Sequence, residues 1–168
     1  MSLHPLGFIE PCLPTGSRTA PTGPQWAYEI KHDGFRFICH RDGERVRLFS
    51  RTGHEWGAQL PAIAAAVRAL PVRSVILDGE GVICGPDGVS DFDRMRGMFG
   101  RKGSSEVFLY VFDVLELDGR DLRAQCLGRA TRAADPTSGS LPKRPPLVGA
   151  HRGYGWRGPL RTGMCHGA

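Results

Sequence analysis

The segment that most constrains this chain is an apolar run, typical of a β-strand, that leads directly into a polar hexapeptide. The run is Trp26-Ala27-Tyr28-Glu29-Ile30, and the hexapeptide is Lys31-His32-Asp33-Gly34-Phe35-Arg36. A lysine amine is a compact nucleophile once it is deprotonated. Asp33 can orient this amine, Gly34 lets a phosphate approach the backbone closely, and Arg36 offers a planar fork of donors. The hexapeptide therefore favours chemistry at phosphorus, and the alternative is a Lys-Asp pair at a strand end before a turn.

Three further segments follow in order along the chain. They are Leu48-Phe49-Ser50-Arg51-Thr52-Gly53, Ser74-Val75-Ile76-Leu77-Asp78-Gly79-Glu80-Gly81-Val82-Ile83 and Val107-Phe108-Leu109-Tyr110-Val111-Phe112-Asp113-Val114-Leu115-Glu116-Leu117-Asp118-Gly119. The two carboxylates inside the second, apolar run are costly to bury unless they are paired or bind a ligand. Each segment also has a purely structural interpretation: Arg51 as a surface arginine, residues 78–79 as a turn between strands, and Phe112 as a core residue.

Taken together and in this order, the four segments resemble motif I, the Ser-Arg-x-Gly element that follows it, motif III and motif IIIa of the covalent nucleotidyltransferases. This family includes ATP-dependent DNA ligases, RNA ligases and mRNA capping enzymes. Over about residues 5–123 the sequence is most similar to bacterial ATP-dependent DNA ligases of the end-joining type. The resemblance implies an α+β fold, with antiparallel sheets and short helices around a nucleotide cleft, as in an ATP-grasp-like ligase adenylation domain. RNA ligases and capping enzymes remain the alternative within the family.

The resemblance also implies roles for single residues. Lys31 would be the catalytic nucleophile that becomes lysyl-AMP. The nucleotide-binding residues would be Glu29, Arg36, Arg51, Glu80 and Phe112. Among them, Glu29 would bind the adenine amino group, Phe112 would stack on the base, and Glu80 would contact the ribose or a metal-bound water. ATP would be the donor, Mg²⁺ would neutralise its triphosphate, and nicked or broken duplex DNA would be the substrate, with end-joining proteins as partners.

Charge and cysteine content add little to this interpretation. The chain has 22 Lys+Arg against 17 Asp+Glu, but residues 1–120 carry a net charge of −1 and residues 121–168 one of +6. The excess of positive charge lies outside the segments that carry the resemblance, so it does not favour DNA binding by them. The five cysteines are widely spaced and odd in number, which disfavours zinc sites and disulfides and favours a reducing cytoplasm. No signal-peptide pattern and no membrane-length apolar run is present in the sequence.

The pattern along the chain predicts three regions: an extended N-terminal arm over residues 1–25, a partial adenylation domain over 26–123, and a Gly/Pro/Arg-rich tail over 124–168. The predicted strands are at about residues 26–30, 35–41, 45–50, 74–84 and 107–117, with a hairpin turn at Asp42-Gly43. The predicted helices are at about residues 58–70 and 91–99, and Ser90 is the expected N-cap of the second.

The sequence of the tail leaves three hypotheses open about its nature. It lacks Ile and Phe, so it is expected to be disordered, or to be the product of a frameshift or early stop. Its segment Arg152-Gly153-Tyr154-Gly155-Trp156-Arg157-Gly158 also resembles an Arg/Gly RNA-binding stretch, which leaves a non-catalytic nucleic-acid-binding protein as an alternative function. No text like the family's later lysine motif follows residue 120, and no second domain for an OB-fold is apparent. We therefore expect a truncated ligase that binds ATP but does not seal nicks alone.

Overall fold

The fold is built on one antiparallel sheet. The computed structural model describes residues 8–16, 18–19, 22, 31–98 and 106–125. In these residues the elements are β1 (Phe35–Asp42), β2 (Arg45–Ser50), α1 (Pro61–Arg68), β3 (Ser74–Val82), α2 (Phe92–Gly97), β4 (Phe108–Leu117) and β5 (Arg120–Asp121). The strands lie in the order β2-β1-β3-β4-β5, and all four pairings are antiparallel. The predicted α+β class, with an antiparallel sheet and short helices, is confirmed. The strand predicted at 26–30 and the tail after residue 125 lie outside the described residues.

The predicted hairpin between β1 and β2 is confirmed. Asp42 pairs with Arg45 at its end, and Gly43 has a φ of 56°. Such a left-handed backbone is the conformation that tight hairpin turns require and that glycine adopts without steric cost. Turn chemistry therefore sets the register of the first two strands.

The prediction for the cap of α2 is wrong by one residue. Ser90, the expected N-cap, forms a β-bridge with Cys84. Asp91 is the cap, and its carboxylate accepts a hydrogen bond of 3.0 Å from the backbone N–H of Arg94. Because the strand-like pairing continues through residue 90, the first residue that can start the helix is the next one. The helix then ends at Gly97, and it is shorter than the predicted 91–99.

The two faces of the sheet are covered differently. One face packs against α1 and holds the main core, whose members include Phe37, Leu48, Ile63, Leu77, Leu109 and Val111. On the other face, Ile38, Ile76 and Leu115 form a small apolar cluster beneath Phe8 and Ile9 of the N-terminal segment. The rest of this second face carries polar side chains of β1, β3 and β4. No helix among the described residues is long and apolar enough to cross a membrane.

A buried arginine fastens α1 to the sheet. The Arg41 side chain leaves β1 and is 8% exposed. Its guanidinium donates hydrogen bonds to the carbonyls of Val67 at 3.1 Å, Leu70 at 2.6 Å and Gly43 at 2.9 Å. Two of these carbonyls lie at the C-terminal end of α1, where helix carbonyls lack intrahelical partners and a cation is favourable.

We expect Arg41→Ala to lower the free energy of unfolding by about 3 kcal/mol, because one buried and two partly buried carbonyls lose a charged donor. The matched control is Arg45→Ala, which removes the same charge from an exposed position on β2 and should change stability by less than about 0.5 kcal/mol. Urea unfolding of the three proteins measures both values. Equal stability of the two variants would contradict the proposed role of Arg41.

Candidate active site

Lys31 lies just before β1, and its side chain is 86% exposed. The Nζ atom donates a hydrogen bond to Asp33 Oδ1 at 2.9 Å, and Asp33 is itself 70% exposed. This hydrogen bond and the charge of Asp33 raise the pKa of Lys31, with a smaller contribution from Glu80. The amine is therefore held in its protonated form at neutral pH. Because only the free amine is nucleophilic, Lys31 must lose its proton before it can attack.

Gly34 is required by strand packing. A Cβ atom on Gly34 would collide with the carbonyl oxygen of Gly81 and would lie 2.8 Å from Cγ1 of Val82. The backbone N–H of Gly34 also donates to the carboxylate of Glu80. From the sequence, Gly34 was predicted to let a phosphate approach the backbone. In the structure, Gly34 lets the residues before β1 fold closely onto β3.

The turn interpretation of residues 78–79 is wrong, because both residues lie inside the continuous strand β3. Successive side chains of a strand point to opposite faces, so Asp78 and Glu80 share one face while Gly79 and Gly81 share the other. A Cβ atom at Gly81 would lie 2.7 Å from the Phe37 ring. The glycines therefore belong to the packed face, and the two carboxylates belong to the polar face.

Arg36 and Asp78 form a bidentate ion pair on this polar face. Arg36 Nε donates to Asp78 Oδ1 at 2.9 Å, and Nη2 donates to Oδ2 at 2.7 Å. Asp78 is 3% exposed, so the pair satisfies the requirement that a buried carboxylate be paired. Nη1 of Arg36 donates to the carbonyl of Cys12. The Arg36 guanidinium was predicted to bind phosphate or ribose. In the structure it binds the carboxylate of Asp78 instead.

Phe112 lies at a bulge in β4. The register shifts between Asp78 and Gly79, whose partners are Asp113 and Val111, so Phe112 has no partner in β3. Bulges redirect side chains and recur near active sites. The guanidinium carbon of Arg36 lies 5.3 Å from the centre of the Phe112 ring. Strands β1 and β4 are two strand spacings apart, because β3 lies between them. The side chains of Arg36 and Phe112 nevertheless meet across β3.

Glu80 lies among these groups and is partly buried. Burial raises the pKa of Glu80, while the charge of Lys31, the N–H of Gly34 and the charge of Arg36 act in the opposite direction. Its carboxylate is thus close enough to Lys31 and Arg36 to interact with their charges. Burial also raises the pKa of Asp113 on the neighbouring strand. The strand pairings and these charge interactions bring Lys31, Arg36, Glu80 and Phe112 to one face of the sheet.

The described residues do not form a complete metal cage. In the described part of the chain, no group of three or more His, Cys, Asp or Glu side chains is arranged to hold a metal ion. Mg²⁺ in phosphoryl-transfer sites usually takes only one or two protein carboxylates and completes its shell with phosphates and water. Glu80, exposed in part and carrying a carboxylate, fits one such position.

The remaining two predicted residues are less informative. Arg51 lies on the turn directly after β2 and is exposed. Because Ser50 pairs with Phe37, Arg51 leaves the sheet at the same end as Arg36. Glu29 lies outside the described residues.

Two stacked rings beside the site, those of His32 and Tyr110, were not predicted from the sequence. The imidazole of His32 lies parallel to the ring of Tyr110, with centroids 4.0 Å apart and an interplanar angle of 8°. The Tyr110 hydroxyl lies 3.8 Å from Sγ of Cys84. Tyr110 also pairs with Glu80 across β3 and β4. The alternation of aromatic residues at 110 and 112 was the signal in the sequence that could have indicated this contact.

Known proteins resemble the chain in sequence. The sequence profile of the ATP dependent DNA ligase domain matches residues 17–133. The chain is 38% identical, over 69% of its length, to the multifunctional non-homologous end joining protein LigD of Pseudomonas aeruginosa. It is 35% identical, over 90% of its length, to the corresponding LigD protein of Mycobacterium tuberculosis. It spans only 14% and 21% of the lengths of these relatives.

Solved structures resemble the chain in fold. The ligase domain of M. tuberculosis LigD matches with a TM-score of 0.58 and 31% identity, over 73% of this chain and 40% of that one. A mycobacterial DNA ligase D complexed with ATP and MES matches with a TM-score of 0.56 and 30% identity, over 68% of this chain and 37% of that one. The antiparallel sheet described above is therefore shared with ligase domains.

We expect Arg36→Met to lower the free energy of unfolding by about 3–5 kcal/mol, because Asp78 is left as an unpaired, buried charge. The double variant Arg36→Met/Asp78→Leu should lose about 1–3 kcal/mol less than the sum of its two single variants. Urea unfolding of the four proteins measures this coupling. The matched control is the pair Arg47–Glu55, whose carboxylate is 45% exposed and whose coupling should stay below about 1 kcal/mol. Equal coupling in both pairs would contradict the special role of the buried one.

We expect Asp33→Asn to make Lys31 more reactive toward an amine-directed reagent, because the variant removes the main cause of the raised Lys31 pKa. At a fixed pH of about 8, a lower pKa leaves a larger fraction of the amine unprotonated. Peptide mass spectrometry can follow the rate of labelling, with Lys102 in the same sample as the internal control. An unchanged rate at Lys31 would show that the ion pair does not control its protonation.

Proposed function

Because the chain belongs to the family of ATP-dependent DNA ligase domains, we propose that it binds ATP on the polar face of its sheet and becomes adenylylated at Lys31. The observation that carries this proposal is the position of Lys31 over β3, close enough to Glu80 for their charges to interact. On the same face lie the ion pair of Arg36 with Asp78 and the ring of Phe112. A nucleophile, a carboxylate and an aromatic ring are thus available to one ligand.

The proposed reaction is the first half of a ligase cycle. The free amine of Lys31 attacks the α-phosphorus of ATP, so that a nitrogen–phosphorus bond forms as the bond to the bridging oxygen breaks. Pyrophosphate carries away the electron pair of that bond. The attacking nitrogen, which becomes positively charged when the new bond forms, then releases one proton to solvent. Catalysis of such a transfer depends on positioning and on stabilisation of the phosphate charge.

The chain's residues divide into ligand contacts and supports. Phe112 stacks on the adenine, Glu29 binds its amino group, and Glu80 contacts the ribose hydroxyl or a water of bound Mg²⁺. Arg51, exposed at the same end of the sheet, contacts phosphate. Arg36 acts chiefly as a support in this proposal, because its donors hold Asp78 and the carbonyl of Cys12. When bound, Mg²⁺ supplies positive charge to the triphosphate and to the leaving pyrophosphate.

The wider role follows from the family. We assign residues 26–123 to the adenylation unit, residues 1–25 to an arm and residues 124–168 to a tail. The acceptor of the AMP group is nicked or broken duplex DNA, and the biological setting is end-joining repair with its partner proteins. A cytoplasmic location agrees with the free thiols of Cys12, Cys39 and Cys84. Since the chain spans a small part of its relatives, nick sealing is proposed for the whole protein rather than for these residues alone.

The test is the intact mass of the full chain after incubation with ATP and Mg²⁺. We expect a single AMP adduct at Lys31. The sequence has three lysines, Lys31, Lys102 and Lys143, and Lys31 is the one that the structure describes, just before β1 and near Glu80. Lys31→Arg keeps the charge but should give no adduct. Lys102→Arg is the matched control and should give the wild-type yield.

The outcomes of this experiment are distinct. An adduct that maps to Lys31 and needs ATP supports the proposal, and Glu80→Gln should then lower its rate by roughly 10²–10³-fold if Glu80 contributes a preorganised charge. An adduct that persists in Lys31→Arg would reject the assignment of the nucleophile. Absence of any adduct from folded protein would reject self-adenylylation by this chain. Transfer of AMP to nicked RNA but not to nicked DNA would favour the RNA ligase alternative.

A further inference from the structure

In the described residues 31–34, the side chain that follows Lys31 makes a ring contact with the sheet. Lys31 and Asp33 are both exposed, and an exposed ion pair contributes little to holding a segment in place. His32 differs from both, because it is partly buried and its ring lies 4.0 Å from that of Tyr110 in a parallel stack. Of residues 31–33, which the structure describes, His32 is the one whose ring contacts a side chain on another strand.

The path of the chain explains this contact. Strand β3 lies between β1 and β4 in the sheet, so a residue just before β1 must cross β3 to reach Tyr110. The close approach of Gly34 to Gly81 makes this crossing possible. His32, one residue after Lys31, thereby lies beside the end of β3 that holds Glu80, which pairs with Tyr110. The stack of His32 on Tyr110 therefore fastens the described segment 31–34 to β4.

We propose that His32 is a positioning residue that holds the Lys31 backbone over β3 by stacking on Tyr110. The inference rests on the proposed function, in which Lys31 is the nucleophile. In this role, His32 acts through the backbone of Lys31 and does not contact the nucleotide. The role needs a flat ring at residue 32 and a flat ring at residue 110, and it does not need an ionisable imidazole.

The chemistry of the two rings agrees with this role. Burial lowers the pKa of His32, so the imidazole is neutral at pH 7 and places no second cation beside Lys31. Burial and the neighbouring Cys84 raise the pKa of Tyr110 to about 12, so the phenol is neutral too. Parallel contact of two neutral rings is a favourable arrangement whose strength corresponds to about a 2- to 10-fold change in population. This sets the size of the effect to be measured.

The first test is the rate of Lys31 adenylylation as a function of ATP concentration, with the full chain. We expect His32→Ala to lower the maximal rate by about 3- to 10-fold and to leave the half-saturating ATP concentration within about 2-fold, because His32 positions the nucleophile and does not bind ATP. His32→Phe keeps a flat ring and should recover most of the rate. Tyr110→Leu should match His32→Ala, and the double variant should be no slower than either single variant.

The matched control is His54→Ala. His54 also contacts an aromatic ring, that of Trp56, with centroids 5.1 Å apart, but it lies after β2 and away from Tyr110. This variant should keep the wild-type maximal rate. A rate loss in His54→Ala equal to that in His32→Ala would attribute the effect to general destabilisation and overturn the proposal. So would a His32→Phe variant as slow as His32→Ala.

A second measurement keeps the inference separate from the proposed function. Hydrogen exchange of the peptide that contains residues 31–36 reports the anchoring of the segment whether or not an adduct forms. We expect His32→Ala and Tyr110→Leu to speed this exchange about 2- to 10-fold and His32→Phe to restore it. If wild-type protein forms no adduct but shows this exchange pattern, the proposed function fails while the anchor stands. Unchanged exchange in His32→Ala would overturn the anchor itself.

Discussion

The structure depends on how one strand buries two carboxylates. Strand β3 lies in the middle of the sheet and is almost entirely buried, yet it contains Asp78 and Glu80. A buried carboxylate without a partner costs several kcal/mol. The antiparallel pairing of β1 with β3 solves this by placing Arg36 opposite Glu80 and two residues along the strand from the position opposite Asp78. The same pairing leads the residues before β1 across β3, so the position of Lys31 follows from the arrangement that satisfies the acids.

Much of this could be predicted from residue types and their order. The hairpin at Gly43 follows from turn chemistry, and the buried residues Ile63, Ala64 and Val67 of α1 follow from their helical spacing. The pairing of a buried acid was also predicted in general terms, since the cost of an isolated charge does not depend on the details of the fold. Local rules succeed where the interaction lies within a few residues of the chain.

The rest could not be predicted because it depends on contacts distant in sequence. Arg36 was expected to face a ligand, but 42 residues separate it from the carboxylate that takes its donors. Gly34 was predicted to let a phosphate approach the backbone, whereas the atom that a Cβ there would meet is the carbonyl oxygen of Gly81 in β3. The bulge at Phe112 and the stack of His32 on Tyr110 depend on the register between strands. Residue identity thus indicated which positions matter, and only the sheet showed what each one contacts.

The charges on the polar face place a condition on the proposed chemistry. The charged side chains described beside the site include the acids Asp33, Asp78, Glu80 and Asp113 and the bases Lys31, Arg36 and Arg51. Even with burial raising the pKa of Glu80 and that of Asp113, acids outnumber bases, and one base is already committed to Asp78. Such a surface does not attract a triphosphate by itself, because like charges repel most strongly where water is partly excluded. A divalent cation held between Glu80 and the phosphates would reverse this balance, which is the physical reason for including Mg²⁺ in the proposed reaction.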